Sequence, residues 1–284
     1  MRLLITGSDG FTGRHLCSEA TKTGHEVVKL KANILDKESL TSEILDIKPD
    51  LIVHLAGISF VANPDKISFY NVNVIGTTNL LDAVLELPVA PFKVLISSSA
   101  NVYGNCNSSS IDETMATNPI NHYSASKLAM EKIALTYKNK IPIIITRPFN
   151  YTGPGQDINF VIPKIVNHFL NQKPSILLGN IKVEREFNDV KMVCDLYLKL
   201  LSIGVSGEIY NICSGKAYSL EMVIETLCDL TGHTIEVNCD HKLIRHNEVH
   251  RLRGNPQKTD KLLMSQSLTA QSFLLEQTLK SMMN

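Results

Sequence analysis

Residues 6–16 read TGSDGFTGRHL and follow directly on a short apolar run at residues 2–6. Gly7, Gly10 and Gly13 give the spacing GxxGxxG where a predicted buried strand passes into a predicted helix. Glycines at these positions let the backbone turn sharply and approach a pyrophosphate, which then lies at the helix N-terminus. A plain strand-to-helix turn can also contain glycines, but the position after the first strand favours a dinucleotide site.

The rest of the first 150 residues repeats this change from strand to helix. Alternating strands and helices imply parallel pairing, because parallel strands need a long crossover between them. The strand segments are apolar on both faces, as a sheet covered on both sides requires. Besides residues 2–6, the predicted strands are 25–30, 51–55, 92–97 and 141–146, and further helices are predicted near 68–87 and 121–138. We predict an α/β fold, a Rossmann-type doubly wound parallel sheet with a smaller C-terminal substrate-binding region.

The rhythm changes after Arg147, where proline and glycine become frequent in RPFNYTGPG. Later segments alternate less regularly, which indicates a second region interleaved with the first. We therefore assign residues 1–150 to the dinucleotide-binding domain and expect residues 181–205 to return to it. Residues 151–180 and 206–284 are predicted to form the region that binds the substrate.

Composition narrows the classes of partner. The 284 residues contain 28 Lys and Arg and 28 Asp and Glu, so the net charge is zero and gives no basic field for nucleic acid or a membrane surface. The apolar start is too short for a signal-peptide core, and no apolar run reaches the length of a membrane span. The six cysteines form no CxxC pair, so we expect reduced thiols in a cytoplasmic protein.

The segment after the second strand bears on the choice of dinucleotide. NAD sites usually place an acid about 20 residues beyond the glycines, to bind the ribose hydroxyls. Here residues 27–36 read VVKLKANILD, with Lys29, Lys31 and Asn33 in that window, and Arg14 follows the last glycine. Cations would bind a phosphate on the ribose, which favours NADPH. NADH stays open, because lysines at the end of a strand can also simply be solvated.

A tyrosine and a lysine stand four residues apart in YSASK, at Tyr123 and Lys127. On a helix they share one face. An ammonium nearby favours the phenolate and lowers the ordinary tyrosine pKa of about 10. The pair is therefore a candidate proton donor for a carbonyl that is being reduced.

These motifs together resemble the extended short-chain dehydrogenase/reductase family, the group of nucleotide-sugar epimerases, dehydratases and reductases. The matching stretches are TGSDGFTG, HLAG at 54–57, NVNVIGTTNLL at 71–81, SSSANVYG at 97–104, YSASK and RPFNYTGPG. The resemblance implies that Ser99 binds the substrate carbonyl together with Tyr123, and that Lys127 completes the catalytic set. It also implies a cofactor-binding set of Gly7, Asp9, Gly10, Phe11, Gly13, Arg14, Lys31, Asn33, Leu55, Ala56, Gly57, Tyr123, Lys127 and Arg147.

The stretch SSSANVYG lacks an acid, which separates two reactions of that family. The 4,6-dehydratases that it resembles carry a glutamate, often beside an aspartate, where this chain has Ala100 and Asn101. Neither side chain can act as a general acid or base at neutral pH. Dehydration is therefore disfavoured, and hydride transfer at a carbinol carbon remains.

The later motifs resemble the GDP-4-keto-6-deoxy-mannose reductases. They are RPFNYTGPGQ, FVIP at 160–163, VEREFNDV at 183–190, EIYNICSG at 208–215 and RHNEVHRLRG at 245–254. The resemblance implies a GDP-sugar partner, a homodimer built on helices near 68–87 and 121–138, and a role in polysaccharide (O-antigen) biosynthesis. The implied substrate contacts are Ser99, Asn101, Asn150, Phe160, Val161, Arg185, Arg245 and Glu248. Glu186 and His246–Asn247 depart from the family pattern.

The leading hypothesis is NADPH-dependent reduction of the C4 ketone of a GDP-4-keto-6-deoxy hexose or heptose. A nucleotide-sugar epimerase of the same fold and a non-enzymatic dinucleotide-sensing module are the alternatives. No metal is expected, although Cys239, His241, His246 and His250 lie close together. HNEVH is not HExxH, and the neighbouring arginines would repel a cation.

Overall fold

The computed structural model describes residues 1–61, 63–106, 108–240 and 250–284. The strands are β1 Arg2–Thr6, β2 Glu26–Lys29, β3 Leu51–His54, β4 Lys93–Ser97, β5 Ile143–Pro148, β6 Tyr151–Thr152, β7 Ser175–Leu178, β8 Glu184–Arg185, β9 Asn188–Asp189, β10 Ile209–Ile212, β11 Tyr218–Ser219, β12 Glu236–Cys239 and β13 Arg251–Leu252. The helices are α1 Phe11–Lys22, α2 Lys37–Ile47, α3 Lys66–Tyr70, α4 Gly76–Leu85, α5 His122–Thr136, α6 Val161–Leu170, α7 Val190–Ile203, α8 Leu220–Thr231, α9 Gln257–Ser265 and α10 Leu275–Met283.

Within these described residues, six strands form one sheet in the order β10-β5-β4-β3-β1-β2. Each neighbouring pair in it is parallel. The order reverses at β1, which is the doubly wound arrangement, and the prediction of a Rossmann-type α/β fold is confirmed. Because the strands are parallel, their carboxyl ends meet at one edge, and the loops after β1, β3, β4 and β5 are brought together there.

The two faces of the sheet are buried in separate apolar clusters, because successive side chains of a strand point to opposite faces. Leu3 and Ile5 of β1 pack in one cluster with side chains of α1 and α7. Leu4, between them, packs in the other cluster with side chains of α2, α4 and α5. This double burial explains why the strands read as continuous apolar runs.

The helix predicted near 68–87 is interrupted. The structure has α3, then a π-helical turn at Asn71–Ile75, and then α4. The π turn adds a residue to the helical repeat and so rotates the following face, and such turns are frequent at functional sites. The apolar periodicity on both sides of the turn predicts helix but does not reveal the inserted residue.

A third apolar cluster belongs to the C-terminal region and joins α6, α8 and α10 with β7. The prediction placed all of residues 206–284 in this region, and this boundary is wrong at one strand. β10 pairs in parallel with β5 and so forms an edge of the main sheet. Its short apolar run, Ile209–Ile212, provides the sixth strand because it buries against α7 in the first cluster. Leu263 of α9 packs in that same cluster.

In the part of the chain that the structure describes, no helix combines the length and the apolar character needed to cross a membrane.

Candidate active site

The glycine turn between β1 and α1 lies against the loop that follows β3. Gly7 has φ +65°, and a Cβ on it would lie 2.8 Å from the Ala56 amide nitrogen. A Cβ on Gly13 would overlap the Gly7 carbonyl oxygen. Both positions therefore need glycine for this close approach.

The first turn of α1 presents its amides without competition from an acid. Gly10 precedes the helix, no residue of the described chain caps it with a side chain, and the first turn contains no Asp or Glu. Unpaired amides and the helix dipole together favour an anion at this point. The turn thus fits a dinucleotide pyrophosphate, and Leu55 and Ala56 of HLAG border it, while Gly57 lies against Asn73 and Lys127.

The catalytic candidates lie where β4 ends and α5 begins. Ser99, Tyr123 and Lys127 are all buried, each at most 7% exposed. The Lys127 ammonium donates to the Ser97 carbonyl oxygen at 2.9 Å. Asn121 caps α5 by accepting from the Ser124 amide, which fixes the start of the helix just before Tyr123. The structure therefore brings together the three side chains that the sequence singled out.

The sequence predicted that Lys127 lowers the pKa of Tyr123, but in the structure this pKa is raised. Burial raises the pKa of Tyr123 above the usual value near 10, while a hydrogen bond with Ser99 acts in the opposite direction. A raised pKa keeps the phenol protonated at neutral pH, so the proton is present on Tyr123 before any reaction begins. Burial also lowers the pKa of Lys127 to about 8, although the charge of Glu131 opposes this.

Asn101 forms two hydrogen bonds with Ser99. Its side-chain amide and its backbone amide each donate to Ser99 Oγ at 3.2 Å. Ser99 Oγ thus accepts in both of these hydrogen bonds, so its own proton can be donated to a substrate oxygen. The Asn101 side chain can donate a hydrogen bond to Ser99 Oγ, whereas an ionised carboxylate at the same position could only accept one.

Asn73 lies next to Lys127, although the sequence analysis assigned it no role. It is buried in the π turn, where its amide donates to Ser126 Oγ at 2.9 Å and its Oδ1 accepts from the Ile58 amide at 2.9 Å. A Cβ on Gly57 would lie 2.9 Å from Asn73 Oδ1 and 3.3 Å from Lys127 Nζ, so the three converge. An asparagine in an otherwise apolar helical segment is only a weak signal in the sequence, because its burial depends on the π turn.

Arg14 and Lys29, two of the cations predicted to bind a phosphate on the cofactor ribose, contact oxygen atoms of the protein. Arg14 donates to the carbonyl oxygens of Asp9 at 2.7 Å and Gly155 at 2.9 Å. Lys29 Nζ lies 3.5 Å from a carboxylate oxygen of the exposed Asp9. These contacts place the cations at the mouth of the glycine turn.

The end of β2 is held by Glu43 of α2. Its two carboxylate oxygens accept from the amides of Lys31 at 2.9 Å and Ala32 at 2.6 Å. Asn33 follows, and its side-chain oxygen accepts from the Leu35 amide at 3.0 Å. An acid therefore lies at this strand end after all, supplied from a helix rather than from the strand.

Phe11 and Arg147, which also belong to the predicted cofactor set, both contact other side chains of the protein. The ring of Phe11 stacks on Tyr151, with centroids 6.0 Å apart. Arg147 is 3% exposed, and its guanidinium pairs with Glu131. The contact of Arg147 with the cofactor stays a prediction.

The residues predicted to bind substrate lie along the C-terminal region. Phe160 precedes α6, which begins at Val161, and its ring packs edge-on against Phe60 at 6.2 Å. Asn150 is exposed, and its carbonyl oxygen accepts from the Asn188 amide. This placement puts Phe160 and Phe60 across from one another, one on each region of the chain.

Arg185 lies on β8, between β11 and β13. Its guanidinium donates to the Glu184 and His250 carbonyl oxygens at 2.8 Å and 3.3 Å. Arg245 and Glu248 lie outside the described residues, as do His241 and His246 of the cluster that we rejected as a metal site. The prediction of no metal therefore remains untested.

Comparison of the sequence with known protein families identifies the family of this chain. Residues 3–213 match the NAD dependent epimerase/dehydratase family. The chain belongs to that family. It is thus an enzyme of the nicotinamide-dependent class, and the resemblance read from the sequence is confirmed.

Two relatives align with this family member over nearly their whole length. GDP-6-deoxy-D-talose 4-dehydrogenase from Aggregatibacter actinomycetemcomitans is 38% identical over 263 residues, covering 91% of this chain and 90% of the relative. GDP-6-deoxy-D-mannose reductase from Pseudomonas aeruginosa is 34% identical over 269 residues, covering 89% and 88%. The solved structure of RMD from Pseudomonas aeruginosa complexed with NADPH superposes with a TM-score of 0.89, at 30% identity and covering 100% of this chain and 98% of that one.

Proposed function

We propose that this enzyme reduces the C4 ketone of a GDP-4-keto-6-deoxy sugar, hexose or heptose, with NADPH. The observation that carries the proposal is the convergence of Ser99, Tyr123 and Lys127 around a turn in which Asn101 stands where dehydratases hold an acid. The set can polarise and protonate a ketone. It has no carboxyl positioned to expel a hydroxyl.

Ser99 and Tyr123 act on the C4 oxygen of the substrate. The Ser99 hydroxyl, whose Oγ accepts from Asn101, donates its hydrogen to the ketone oxygen and orients it. Tyr123 acts as the general acid. Its Oη transfers a proton to that oxygen as the C=O double bond is reduced to a C–O single bond. The reduced nicotinamide supplies the hydride that adds to C4 when the cofactor is bound.

Lys127 supports the phenolate that remains on Tyr123. Its ammonium is fixed by the Ser97 carbonyl at 2.9 Å, one helical turn from Tyr123. A positive charge there stabilises the phenolate until it takes up a proton again. Burial around the pair strengthens this effect, because charges interact more strongly where water is excluded.

The nucleotide and the cofactor are proposed from the relatives together with the site. Both curated relatives carry names that specify GDP-6-deoxy sugars, and the RMD structure is complexed with NADPH. In this chain Arg185 provides a guanidinium that suits a diphosphate, since arginine binds such groups with two parallel hydrogen bonds. Arg14, Lys29 and Lys31 supply positive charge beside the ribose end of the cofactor site.

The test is a pair of reactions followed by mass spectrometry. In the first, the enzyme is incubated with GDP-mannose and NADP⁺, and the sugar should remain unchanged. In the second, a GDP-mannose 4,6-dehydratase and NADPH are added, and the keto intermediate should gain two hydrogens. The Tyr123→Phe variant should lower turnover by at least about a hundredfold, the usual weight of general acid catalysis. Tyr137→Phe, at the end of α5 and bound to Asp82, is the matched control.

The outcomes separate the parts of the proposal. Formation of the 4-keto-6-deoxy sugar by this enzyme alone would refute the reductase assignment. Preference for dTDP- or UDP-linked keto sugars would keep the reaction and overturn the nucleotide. Release of tightly held oxidised cofactor from the purified protein, without net consumption of NADPH, would indicate an epimerase.

We further propose that the enzyme is a cytoplasmic homodimer that contributes to polysaccharide biosynthesis. The six cysteines are free thiols, which fits a reducing compartment. Exposed isoleucines on α3, the π turn and α5 support the dimer.

A further inference from the structure

A buried ion pair lies directly behind the catalytic lysine. Glu131 is 1% exposed and Arg147 is 3% exposed. Arg147 Nε donates to Glu131 Oε1 at 2.9 Å, and Nη2 donates to Oε2 at 2.6 Å. Glu131 lies one helical turn beyond Lys127 on α5, so the two side chains share a face.

The pair joins the elements that carry the catalytic side chains. Glu131 belongs to α5 with Tyr123 and Lys127, whereas Arg147 belongs to β5. The Arg147 guanidinium lies over the ring of Tyr103, 4.8 Å from its centroid. Tyr103 ends the short 3-10 turn that begins after Ser99. The guanidinium therefore links the helix of Lys127 to the turn of Ser99.

This link is anchored further from the site. Tyr103 donates its hydroxyl proton to Asn211 Oδ1 at 2.7 Å, and the Asn211 amide donates to the Ile111 carbonyl oxygen at 2.9 Å. Asn211 lies on β10, next to β5 in the sheet. A displacement of Arg147 would thus disturb both the catalytic turn and its support on β10.

The charges around Lys127 explain why a pair, rather than a lone acid, is needed. Glu131 on α5 and His54 on β3 interact with the Lys127 charge, Tyr123 lies one turn before Lys127 on α5, and Arg147 pairs with Glu131 from β5. The charge of Glu131 favours the protonated lysine, and burial opposes it. His54 is neutral, because burial and the Lys127 charge lower its pKa to about 3.

Arg147 occupies both oxygens of Glu131, and Lys127 donates instead to Ser97 on β4. Without Arg147, an unpaired buried carboxylate would lie one turn from the ammonium and attract it away from Ser97. Without Glu131, the ammonium would lose the charge that favours its protonated form.

We propose that Glu131 and Arg147 are a positioning pair for the reaction, which hold the Lys127 ammonium against Ser97 and in register with Tyr123 and Ser99. The role rests on the proposed function insofar as Lys127 and Tyr123 carry out the proton transfer. It requires no contact of the pair with substrate, since both residues act through Lys127.

The first test needs no sugar. Lysines labelled with ¹³C at Cε are titrated by NMR, and the Lys127 signal is assigned with Lys127→Met. Glu131→Gln should move the Lys127 midpoint to lower pH, because the carboxylate charge is lost. Arg147→Met should move it to higher pH, because the carboxylate becomes unpaired. Arg147→Lys keeps the charge but not the paired geometry and should give a smaller shift.

Removing one partner of a buried pair can prevent folding, so a double variant is included. Glu131→Met with Arg147→Met replaces both charges with apolar side chains of similar length, a change that buried ion pairs often tolerate. The double variant should fold with the wild-type circular dichroism spectrum, and its turnover is measured at saturating NADPH so that any change in cofactor affinity does not enter kcat. Its kcat for keto-sugar reduction should fall by about tenfold or more, a typical share of general acid–base catalysis. Its Lys127 midpoint should move to lower pH.

A folded double variant with the wild-type kcat and an unmoved Lys127 midpoint would overturn the proposal and leave a purely structural pair. If the midpoints move as expected but no keto sugar is reduced by the wild type, the positioning role stands and the proposed function fails.

Discussion

Asn101 determines which way the Ser99 hydroxyl directs its proton. Its side-chain amide is a donor, so Ser99 Oγ accepts at 3.2 Å and the hydroxyl hydrogen is directed away from Asn101, on the side of Tyr123. A carboxylate in the same place is an acceptor when ionised and would take that hydrogen for itself. In the proposed reduction, the polarity of this hydrogen bond directs the Ser99 hydrogen away from position 101.

Asn101→Asp tests this with a change of almost no volume. The Ser99 hydroxyl should turn toward the introduced carboxylate, and the new charge should oppose the alkoxide that forms at C4. We expect kcat to fall by about tenfold or more, since a hydrogen bond to a charged group contributes roughly 1.5–3 kcal/mol. Steady-state NADPH oxidation with the keto sugar measures this, and cofactor affinity should stay near wild type.

The matched control is Asn105→Asp, which adds the same charge to an exposed residue just beyond the turn. It should leave kcat within about twofold of wild type. If Asn101→Asp is as active as this control, Asn101 does not orient Ser99.

Linear motifs explain what could be predicted at the scale of single residues. Ser99, Tyr123 and Lys127 stand in short stretches whose spacing is set by one turn or one helix, and the structure brings them together. Asn73 and Glu131 could not be placed from the sequence. The position of Asn73 depends on an inserted π residue, and the significance of Glu131 depends on Arg147, 16 residues away on a different element.

At the scale of elements, the cofactor preference depends on how the glycine turn and the end of β2 share charge. Arg14 is bound to two carbonyl oxygens, Lys29 pairs with Asp9, and Glu43 accepts from the backbone of Lys31. The sequence showed the cations but not Glu43, because a helix 12 residues later supplies it. The site is therefore less purely cationic than the sequence indicates, and the preference for NADPH needs a direct test.

Replacement of Lys31 by Met, alone and together with Arg14→Met, provides that test. Each change should raise the KM for NADPH more than the KM for NADH, by about tenfold for the pair, because a phosphate loses charge-assisted hydrogen bonds. Lys22→Met, on the exposed face of α1, is the control and should change neither KM. Equal changes for both cofactors would show that these cations do not read the ribose phosphate.

Five of the six strands of the main sheet were predicted from the sequence, and the sixth was assigned to the wrong region. Four of the five predicted strands, β1, β3, β4 and β5, are runs buried on both faces, whereas the edge strand β2 is only part-buried at Val27 and Val28. The sixth, β10, is just as buried but follows the proline- and glycine-rich region, so its sequence position suggested the wrong domain. Its partner β5 lies about 60 residues earlier, and no local pattern records that pairing.

At the scale of the molecule, His54 couples the stability of the fold to pH. It is 1% exposed and joins β1 to α4, with Nδ1 2.7 Å from Thr6 Oγ1 and Nε2 2.9 Å from Thr77 Oγ1. Burial, followed by the charge of Lys127, lowers its pKa to about 3. Both ring nitrogens are occupied while the ring is neutral.

The sign of the effect follows from the two states. An unfolded histidine has a pKa of about 6.5, so below that pH the unfolded chain binds a proton that the folded chain does not. Stability from His54 is thus present above about pH 6.5 and is lost as the pH falls from there toward 3. Between about pH 7.5 and about pH 5 the free energy of unfolding should fall by about 2 kcal/mol from this group.

Urea unfolding at a series of pH values measures this loss. His54→Gln should be less stable at about pH 7.5 but should lose less stability down to about pH 5 than wild type. His122→Gln, at a histidine on the surface at the start of α5, should keep the wild-type slope. An equally steep slope in His54→Gln would assign the pH dependence to other groups.

The proposed dimer is also a property of the whole molecule. Ile67, Ile75 and Ile133 are 66%, 50% and 36% exposed, and they lie on α3, the π turn and α5. These elements pack against one another on one side of the sheet, and we take their exposed isoleucines as the surface of the proposed dimer. Grouped apolar exposure of this kind marks a surface that another protein covers.

We expect light scattering to give twice the chain mass of 31.5 kDa for the wild type at micromolar concentration. Ile75→Asp with Ile133→Asp should give a monomer, because the interface would bury two unpaired charges from each chain. Met222→Asp, which adds a charge at a residue 46% exposed on α8, should remain a dimer. A monomeric wild type would contradict the proposal outright. A dimer that survives Ile75→Asp and Ile133→Asp would move the interface elsewhere.

Since α5 carries Tyr123 and Lys127 on its buried face and Ile133 on its exposed face, a monomeric variant that keeps its kcat would further show that the catalytic side chains are positioned by contacts within one chain.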